Sequence, residues 1–318
     1  MSAPNSPNDP QKQPTAADQK APEVFYSGTP TQTPWLQYAR NQRLVTFALR
    51  TITYTIVFAV GAIIFDVVVK GLPAINADFL LAMPSHSGAA GGILPAIVGT
   101  INLVLIAIAM ALPLGVLSAV YLKEYAPKNS LTSTIQLSIL TLAGVPSILF
   151  GLFGLAFFVL QLGFGTSVLA GGLTLACMIL PTIIVASVEA LDAVPIAFRE
   201  ASQALGATKW QSIWTNVLPY AMPGILTGTI LSIGRAAGET APILLTAVAF
   251  FLPILPRGLF DQVMALPYHL YVLATQHPDT AAVGPMQYGT AFVLLLIVLG
   301  FNLVALALRH CFRKQYKW

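Results

Sequence analysis

The sequence predicts an all-α polytopic membrane protein with six transmembrane helices. Of its 318 residues, 56% are hydrophobic and 9% are charged, whereas about 25% of the residues in a soluble domain carry a charge. So few charges cannot cover a surface that faces water, and most of the surface must therefore face lipid. Six apolar stretches are long enough to cross the bilayer, because a spanning helix needs about 20 predominantly apolar residues.

Charged residues mark the ends of these stretches. In the first span, Arg50 and Asp66 lie near the two ends, where polar groups can reach the interface. The uncharged stretch between Lys128 and Glu189 is long enough for two spans, with a turn at Gln161–Ser167. The predicted spans are approximately Leu44–Val69, Ile93–Val120, Ile135–Leu160, Ser167–Val188, Ala221–Phe251 and Tyr288–Leu308.

The polar parts of the chain predict its other segments. Met1–Pro34 contains seven prolines and many Gln, Asn, Ser and Thr residues, and such a segment buries too little apolar area to offset the entropy of ordering. It also has no apolar core typical of a signal peptide. We therefore expect a disordered cytoplasmic tail at 1–43, the first helix and an outer loop at 44–92, the transmembrane core at 93–308 with a cytoplasmic loop at 189–220, and a basic cytoplasmic C-terminus at 309–318.

The distribution of Lys and Arg predicts that both termini face the cytoplasm, since cytoplasmic segments carry an excess of these residues. With the N-terminus inside, the outer loops carry only Lys70 and Arg257, Arg50 lies at the inner edge of the first span, and Arg235 is left within the membrane. This bias accounts for the basic charge balance without any nucleic-acid partner. The twelve cytoplasmic residues are Lys12, Lys20, Arg40, Arg43, Lys123, Lys128, Arg199, Lys209, Arg309, Arg313, Lys314 and Lys317.

The stretch "GRAAGETAP" at Gly234–Pro242 places Arg235 and Glu239 inside the fifth predicted span. Their i, i+4 spacing puts both side chains on one face of a helix. A charge at the bilayer centre costs at least about 2.5 kcal/mol, so we expect either a structural ion pair or a functional site. In the functional interpretation, Arg235 binds phosphate oxygens bidentately, Glu239 holds Arg235 when no anion is bound, and Thr240 adds a hydroxyl.

The longest predicted cytoplasmic loop, Glu189–Ile225, has the pattern of two short helices. Pro195 suits the first turn of a helix, and Gly206 is typical of a residue that ends one. The sequence "TKWQ" from Thr208 matches a capping box, which predicts a second helix that runs toward Pro219. Such a projection is either an interfacial amphipathic element or a docking surface for a soluble partner.

The sequence of this loop, "EASQALGATKWQSIWTNVLP", resembles the EAA loop of ABC importer permeases. Glu200, Ala201, Gly206, Leu218 and Pro219 match the spacing of that motif, whereas serine and asparagine replace its second alanine and its isoleucine at positions 202 and 216. The resemblance implies that the loop docks a partner ATPase. The residues implied at this coupling surface are Glu200, Ala201, Gly206, Ala207, Thr208, Lys209 and Trp210.

Three segments are similar to permeases of phosphate ABC importers, and to the PstA-type subunit among them: "ALGATKW" at Ala204–Trp210, "GVPSILFGLFGL" at Gly144–Leu155, and Gly234–Pro242. The resemblance covers approximately Ile93–Leu308. It implies a type I importer permease core of the MetI-like kind in the bacterial inner membrane. It also implies a second, PstC-type permease, a PstB-type ATPase dimer and a periplasmic phosphate-binding protein of the PstS type.

The expected function is therefore that of a channel-forming subunit that moves phosphate from the periplasm to the cytoplasm. The chain lacks the Gly-x-x-x-x-Gly-Lys-Ser/Thr motif of an ATPase, so we expect no enzymatic activity, and ATP and Mg are expected to be used by the partner. No bound cofactor or metal site is expected.

Two alternatives to a phosphate permease remain open. One is a permease for another oxyanion such as sulfate or molybdate. The other is an ion-coupled secondary carrier, against which the docking loop argues.

Overall fold

The computed structural model describes residues 35–85, 90–277 and 283–315. The tail that the sequence predicts to be disordered lies outside these residues up to position 34. The chain divides into two compact units, Met1–Val60 and Gly61–Trp318. The described part of the first unit is entirely helical.

Helix α1 (Trp35–Gly71) begins directly after Pro34. The sequence predicts disorder to residue 43, whereas the nine residues 35–43 are helical in the structure. The physical reason is local. The run of prolines ends at Pro34, and the Leu, Gln, Ala and Arg residues that follow favour a helix.

The second unit is almost entirely helical. Beyond α1 it contains a 3₁₀ turn (Leu72–Ala74), α2 (Ala77–Leu81), the antiparallel strands β1 (Pro84–Ser85) and β2 (Ala90–Gly91), α3 (Leu94–Val120), α4 (Ser130–Ala143), α5 (Ser147–Gly154), α6 (Val168–Asp192), α7 (Ile196–Ala204), α8 (Lys209–Ser212), α9 (Leu218–Gly238), α10 (Ala241–Thr246), α11 (Leu266–Thr275) and α12 (Gly284–Gln315). Short π-helical segments extend α3, α5 and α8 at Tyr121–Tyr125, Leu155–Gln161 and Ile213–Val217.

By length and composition, the described helices supply five candidate membrane spans, or six if a bent pair is counted as one span. Five are long apolar helical stretches, and the sixth is a bent pair made of α4 and α5. Burial identifies α6 as the central span, because 67% of its most apolar stretch is buried against 39% for that of α3 and 11% for that of α12. Met178, Ile179 and Ile183 of α6 share one buried cluster with Leu103 and Ala107 of α3.

Helix α9 packs very closely on α6 through small residues. A Cβ atom on Gly224 would lie 2.7 Å from the Cβ of Ala190, and one on Gly228 would lie 2.2 Å from the Cβ of Ala186. Glycines at four-residue spacing allow such an approach between membrane helices. The position of α9, and of the charged residues at its end, is therefore fixed by backbone contact with the central span.

The third span is not the single helix Ile135–Leu160 that the sequence predicts. Helices α4 and α5 meet at an angle of 103° across Gly144–Pro146. Pro146 has no backbone N–H to donate, and its ring disfavours the helical conformation at Val145. The second half, α5, then lies against α10, where a Cβ on Gly151 would lie 3.0 Å from the Cα of Pro242.

The fifth span also differs from its predicted range, Ala221–Phe251. A helical stretch begins earlier, at Lys209, and ends at Gly238. Glu239 has extended backbone angles, with φ −75° and ψ 135°. Pro242 explains the early end, because it cannot donate to the carbonyl four residues before it, that of Gly238, and its ring would collide with that carbonyl.

His269 on α11 is a buried imidazole outside the membrane-spanning helices. It is 2% exposed, and neither Nδ1 nor Nε2 has a hydrogen-bond partner among the described residues. Burial lowers the pKa of His269 from its usual 6.5 to about 4, because desolvation disfavours the charged imidazolium.

We predict that acid destabilises the folded chain through His269. The unfolded chain takes up a proton near pH 6.5, but the folded chain does so only near pH 4. The free energy of unfolding is therefore highest above pH 6.5. It falls as the pH decreases toward 4, and the neutral His269 accounts for a loss of up to about 3 kcal/mol. Thermal unfolding in detergent at pH 7.5 and pH 4.5 measures this loss. His269→Leu should reduce it, whereas His310→Leu, at an exposed position, should not. Equal acid sensitivity of His269→Leu and the unsubstituted chain would contradict the prediction.

Candidate functional site

Arg235 and Glu239 form an ion pair at the end of α9. The Nε of Arg235 lies 3.4 Å from Oε1 of Glu239. Arg235 occupies the last turn of α9 and Glu239 follows the helix directly, so the pair lies at a helix end and not within a continuous helix as the sequence predicts. The carbonyl end of a helix favours a cation, which stabilises Arg235 in this position.

The pair leaves most of the guanidinium free. Only Nε of Arg235 contacts Glu239, and the side chains of the two residues are 39% and 19% exposed. The terminal NH₂ groups of Arg235 have no partner among the described residues. Thr240, the third predicted pathway residue, begins α10 in the same break, and its hydroxyl caps no backbone group there. The break therefore presents hydrogen-bond donors without partners.

Arg235 lines an open groove of about 1010 Å³ between α6, α9 and α12. Most of the groove is apolar, but Glu189 and Asn302 also line it. The Oδ1 atom of Asn302 is buried and accepts no hydrogen bond from a described group. Sequence reasoning did not select Asn302, because a single asparagine in the apolar part of α12 carries no pattern that points to a site.

On its other side, the break meets the core of the bundle. Glu239 borders a cavity of about 10 Å³ together with Thr100 of α3, Leu175 of α6, Ile243 of α10 and Ala265 just before α11. Four other helices, α3, α6, α10 and α11, therefore converge on the end of α9. A movement of any of them would act directly on the Arg235–Glu239 pair.

The α7–α8 hairpin has the local structure that the sequence predicts. Gly206 has a φ of +87°, a conformation that favours glycine. The hydroxyl of Thr208 accepts a hydrogen bond from the backbone N–H of Gln211, and the side chain of Gln211 accepts one from the backbone N–H of Thr208. The predicted capping box is thus confirmed, and it begins α8.

An ion pair missed by the sequence reasoning anchors this hairpin. Nη2 of Arg199 on α7 lies 2.8 Å from Oε1 of Glu124, after α3. Arg199 also donates to the backbone carbonyls of Val194 and Leu191, at 2.7 and 2.8 Å. Both charged side chains are largely buried, at 18% and 8% exposure. The two residues are 75 positions apart, so no local pattern could have paired them.

Two further contacts explain residues of the motif itself. Ser202, which stands where the EAA pattern has alanine, is buried and its hydroxyl hydrogen-bonds that of Ser212 on α8. The ammonium of Lys209 donates to the carbonyl of Glu124 and lies 4.8 Å from the ring centre of Tyr125. Lys209, predicted at the coupling surface, therefore contacts its own chain.

The outer side of the hairpin is apolar and exposed. Leu205 beside the glycine turn is 90% exposed, and Trp210 and Trp214 on the next turns are 55% and 43% exposed. The two tryptophans contact each other edge to face at 5.3 Å. Glu200 is exposed and forms no ion pair within the described part of the chain. Large exposed apolar side chains next to a free charge are typical of a protein-docking surface.

The fold of this chain has a counterpart among solved structures. A solved bacterial ABC transporter involved in the import of the acidic polysaccharide alginate contains a chain of the same fold. Its TM-score is 0.61 at 17% identity, over 89% of this chain and 99% of that one. Helical spans, a broken third span and the α7–α8 hairpin thus occur in a chain with the fold of an ABC importer permease.

Sequence relatives define the family. Residues 111–317 match the model for the binding-protein-dependent transport system inner membrane component. The chain is 34% identical to the probable ABC transporter permease protein YqgI of Bacillus subtilis (strain 168), over 75% of this chain and 85% of the relative. It is 39% identical to the phosphate transport system permease protein PstA 1 of Mycobacterium tuberculosis (strain CDC 1551 / Oshkosh), over 69% and 71%. The chain belongs to the family of binding-protein-dependent transport system inner membrane components.

We predict that Arg199 holds α7 in place. Arg199→Met leaves the Glu124 carboxylate largely buried without its partner, which costs about 3 kcal/mol. Hydrogen–deuterium exchange of Ile196–Ala204 should therefore accelerate. The double variant Glu124→Gln with Arg199→Met removes the stranded charge and should exchange more slowly than the single variant. If the single and double variants exchange alike, the ion pair does not anchor the hairpin.

Proposed function

We propose that this chain is a channel-forming, membrane-spanning subunit of an ATP-driven importer of inorganic phosphate, and that it moves phosphate from the periplasm to the cytoplasm. One observation carries the proposal. The break after α9 presents an arginine whose terminal N–H groups are free, on a groove between three spans. The similarity to a phosphate transport system permease, at 39% identity, supports phosphate as the anion.

The chemistry at the break suits transient binding of an oxyanion. The free guanidinium edge of Arg235 offers two parallel N–H donors to two phosphate oxygens. Glu239 neutralises Arg235 while the site is empty, and it accepts a hydrogen bond from a phosphate that retains a proton. The hydroxyl of Thr240 supplies a further donor. The carboxylate also keeps the affinity for the anion low, which a conduit requires for release.

The hairpin supports the orientation and the partners that we propose. Both termini and the α7–α8 hairpin face the cytoplasm in this proposal, as the excess of Lys and Arg in those segments favours. Leu205, Trp210 and Glu200 then form the surface for a PstB-type ATPase dimer. That dimer binds ATP and Mg, whereas this chain binds no cofactor and catalyses no reaction. A PstC-type permease in the bilayer and a PstS-type periplasmic binding protein complete the importer, which has no nucleic-acid partner.

Two other functions receive less support. A secondary carrier has no use for a docking hairpin of this kind, and the chain belongs to a family of binding-protein-dependent systems. A permease for sulfate or molybdate is chemically compatible with Arg235, but the phosphate transport permease relative favours phosphate.

We predict that Arg235→Gln reduces labelled phosphate uptake by between about tenfold and a hundredfold, since a hydrogen bond to a charged group contributes about 1.5–3 kcal/mol. Arg235→Lys keeps the charge but loses the two-pronged geometry, and it should fall between the glutamine variant and the unsubstituted chain. The matched control is Arg257→Gln, which replaces an exposed arginine of the outer loop. This variant should transport phosphate normally. Undiminished uptake in an assembled Arg235→Gln transporter would refute the role of Arg235.

We predict that Leu205→Asp releases the ATPase. The substitution replaces the most exposed apolar side chain of the hairpin with a charge, and loss of a buried leucine contact of about 1.5–3 kcal/mol should weaken binding at least about tenfold. Co-purification of the ATPase with the tagged permease measures this. The same change at Leu259, a 54% exposed leucine of the outer loop, should leave co-purification intact. Full retention of the ATPase by Leu205→Asp would exclude this surface as the dock.

A further inference from the structure

A second cavity lies at the hairpin end of the bundle. It has a volume of about 740 Å³ and lies between the end of α3, the start of α4 and the end of α6. Its lining is much more polar than the groove at Arg235. Its polar lining includes Lys128, Ser130, Ser133, Gln136 and Glu189.

The composition of α4 explains why this cavity is polar. Seven of its fourteen residues are Ser, Thr or Gln, and none of its residues is buried. On one side, hydroxyls bond to carbonyls of their own helix, as those of Thr134 and Ser138 do, and they are thereby satisfied. On the cavity side, Ser133 and Gln136 have no partner among the described residues. Because unsatisfied polar groups are costly in hydrocarbon, this side of α4 faces water or a polar ligand.

The cavity has free donors for an anion. Among the described residues, the ammonium of Lys128 and the hydroxyls of Ser130 and Ser133 form no hydrogen bond or ion pair, whereas the nearby Lys123 is already paired with Asp192. A lysine beside two hydroxyls provides charge-assisted and neutral hydrogen bonds to the oxygens of an oxyanion.

Glu189 determines which oxyanion fits. It is exposed, has no ion-pair partner in the described ranges, and lines both this cavity and the groove at Arg235. Its carboxylate repels a fully ionised oxyanion but accepts a hydrogen bond from one that keeps a proton. At neutral pH, inorganic phosphate keeps at least one proton, whereas sulfate and the phosphodiester of a phospholipid headgroup keep none.

We propose that this cavity is an exit site, where Lys128, Ser130, Ser133 and Glu189 hold a protonated oxyanion after it leaves Arg235 and before it enters the cytoplasm. The inference rests on the proposed function, because it assigns the cytoplasmic side to the hairpin end. It adds a second anion site and a means of rejecting sulfate within the permease. Since Glu189 borders both cavities, the anion passes from one to the other along α6.

Protection of an introduced thiol tests the exit site. The complete transporter is placed in phosphatidylcholine nanodiscs, with Cys177→Ala, Cys311→Ser and Gln136→Cys in this chain, and alkylation by a neutral maleimide is timed. Bound inorganic phosphate should slow alkylation by the factor 1 + [L]/Kd, about tenfold at about ten times Kd. The matched control is Leu137→Cys. Leu137 is the neighbouring residue, and it is exposed but does not line the cavity. Its cysteine variant should react equally fast with and without phosphate.

Further arms identify the ligands and the source of the phosphate group. Sulfate should give no protection, Lys128→Gln should abolish the protection by phosphate, and Glu189→Gln should allow sulfate to protect. The inference is overturned if phosphate fails to slow alkylation, if it slows both cysteine variants equally, or if Lys128→Gln retains full protection. It is also overturned if protection requires phosphatidylglycerol in the nanodisc, which would assign the cavity to a lipid headgroup.

Transport by the same preparations separates this inference from the proposed function. If the transporter accumulates labelled phosphate but the thiol is not protected, the exit site is wrong and the importer function stands. If the transporter moves no phosphate, the proposed function fails, and with it the exit site.

Discussion

The end of α9 at Gly238 is the constraint on which the candidate site depends. Pro242 removes the hydrogen bond that would carry the helix past Gly238 and excludes its carbonyl sterically. As a result, Arg235 lies in a last turn, Glu239 lies in extended backbone, and the two meet at 3.4 Å. In a helix that continued through this point, the carbonyls around Arg235 would be bonded within the helix, and the break that gathers α3, α6, α10 and α11 around Glu239 would be absent.

A helical stretch that includes α9 connects the break to the exposed surface of the hairpin. A helical stretch runs from Lys209 to Gly238, a distance of about 40 Å at 1.5 Å per residue. The Arg199–Glu124 pair holds the hairpin at one end of this stretch. In its middle, Gly228 packs closely against Ala186 of α6. In the proposed importer, a displacement of α8 by an ATPase would be transmitted along this helical stretch to the guanidinium of Arg235.

The sequence predicted the spans and the hairpin, and the physical reason differs between the two. The existence of the spans follows from apolar length, and the hairpin follows from Gly206 and the capping box, which are local signals. The two breaks were missed although Pro146 and Pro242 are visible in the sequence. Proline is tolerated in membrane helices when neighbours satisfy the freed groups, so its presence does not tell a kink from an end.

Other features of the site depend on contacts between distant segments. The Arg199–Glu124 pair, the buried Asn302 carbonyl and the cavity beside α4 each need the packed helices before they can be recognised. Arg235 and Glu239 were identifiable because they are charges in an apolar stretch with i, i+4 spacing. Their spacing predicted the pair correctly, but the helix end that frees the guanidinium edge came only from the structure.

The measurement that tests the account most directly is labelled phosphate uptake in a permease-deleted strain that carries this chain, with and without a large excess of unlabelled sulfate. The account predicts that the chain restores uptake and that sulfate leaves its rate unchanged, because the carboxylates of Glu239 and Glu189 on the proposed path accept a hydrogen bond from phosphate, which keeps a proton, and repel sulfate, which keeps none. Failure to restore uptake, or uptake that sulfate suppresses as strongly as unlabelled phosphate does, would contradict it.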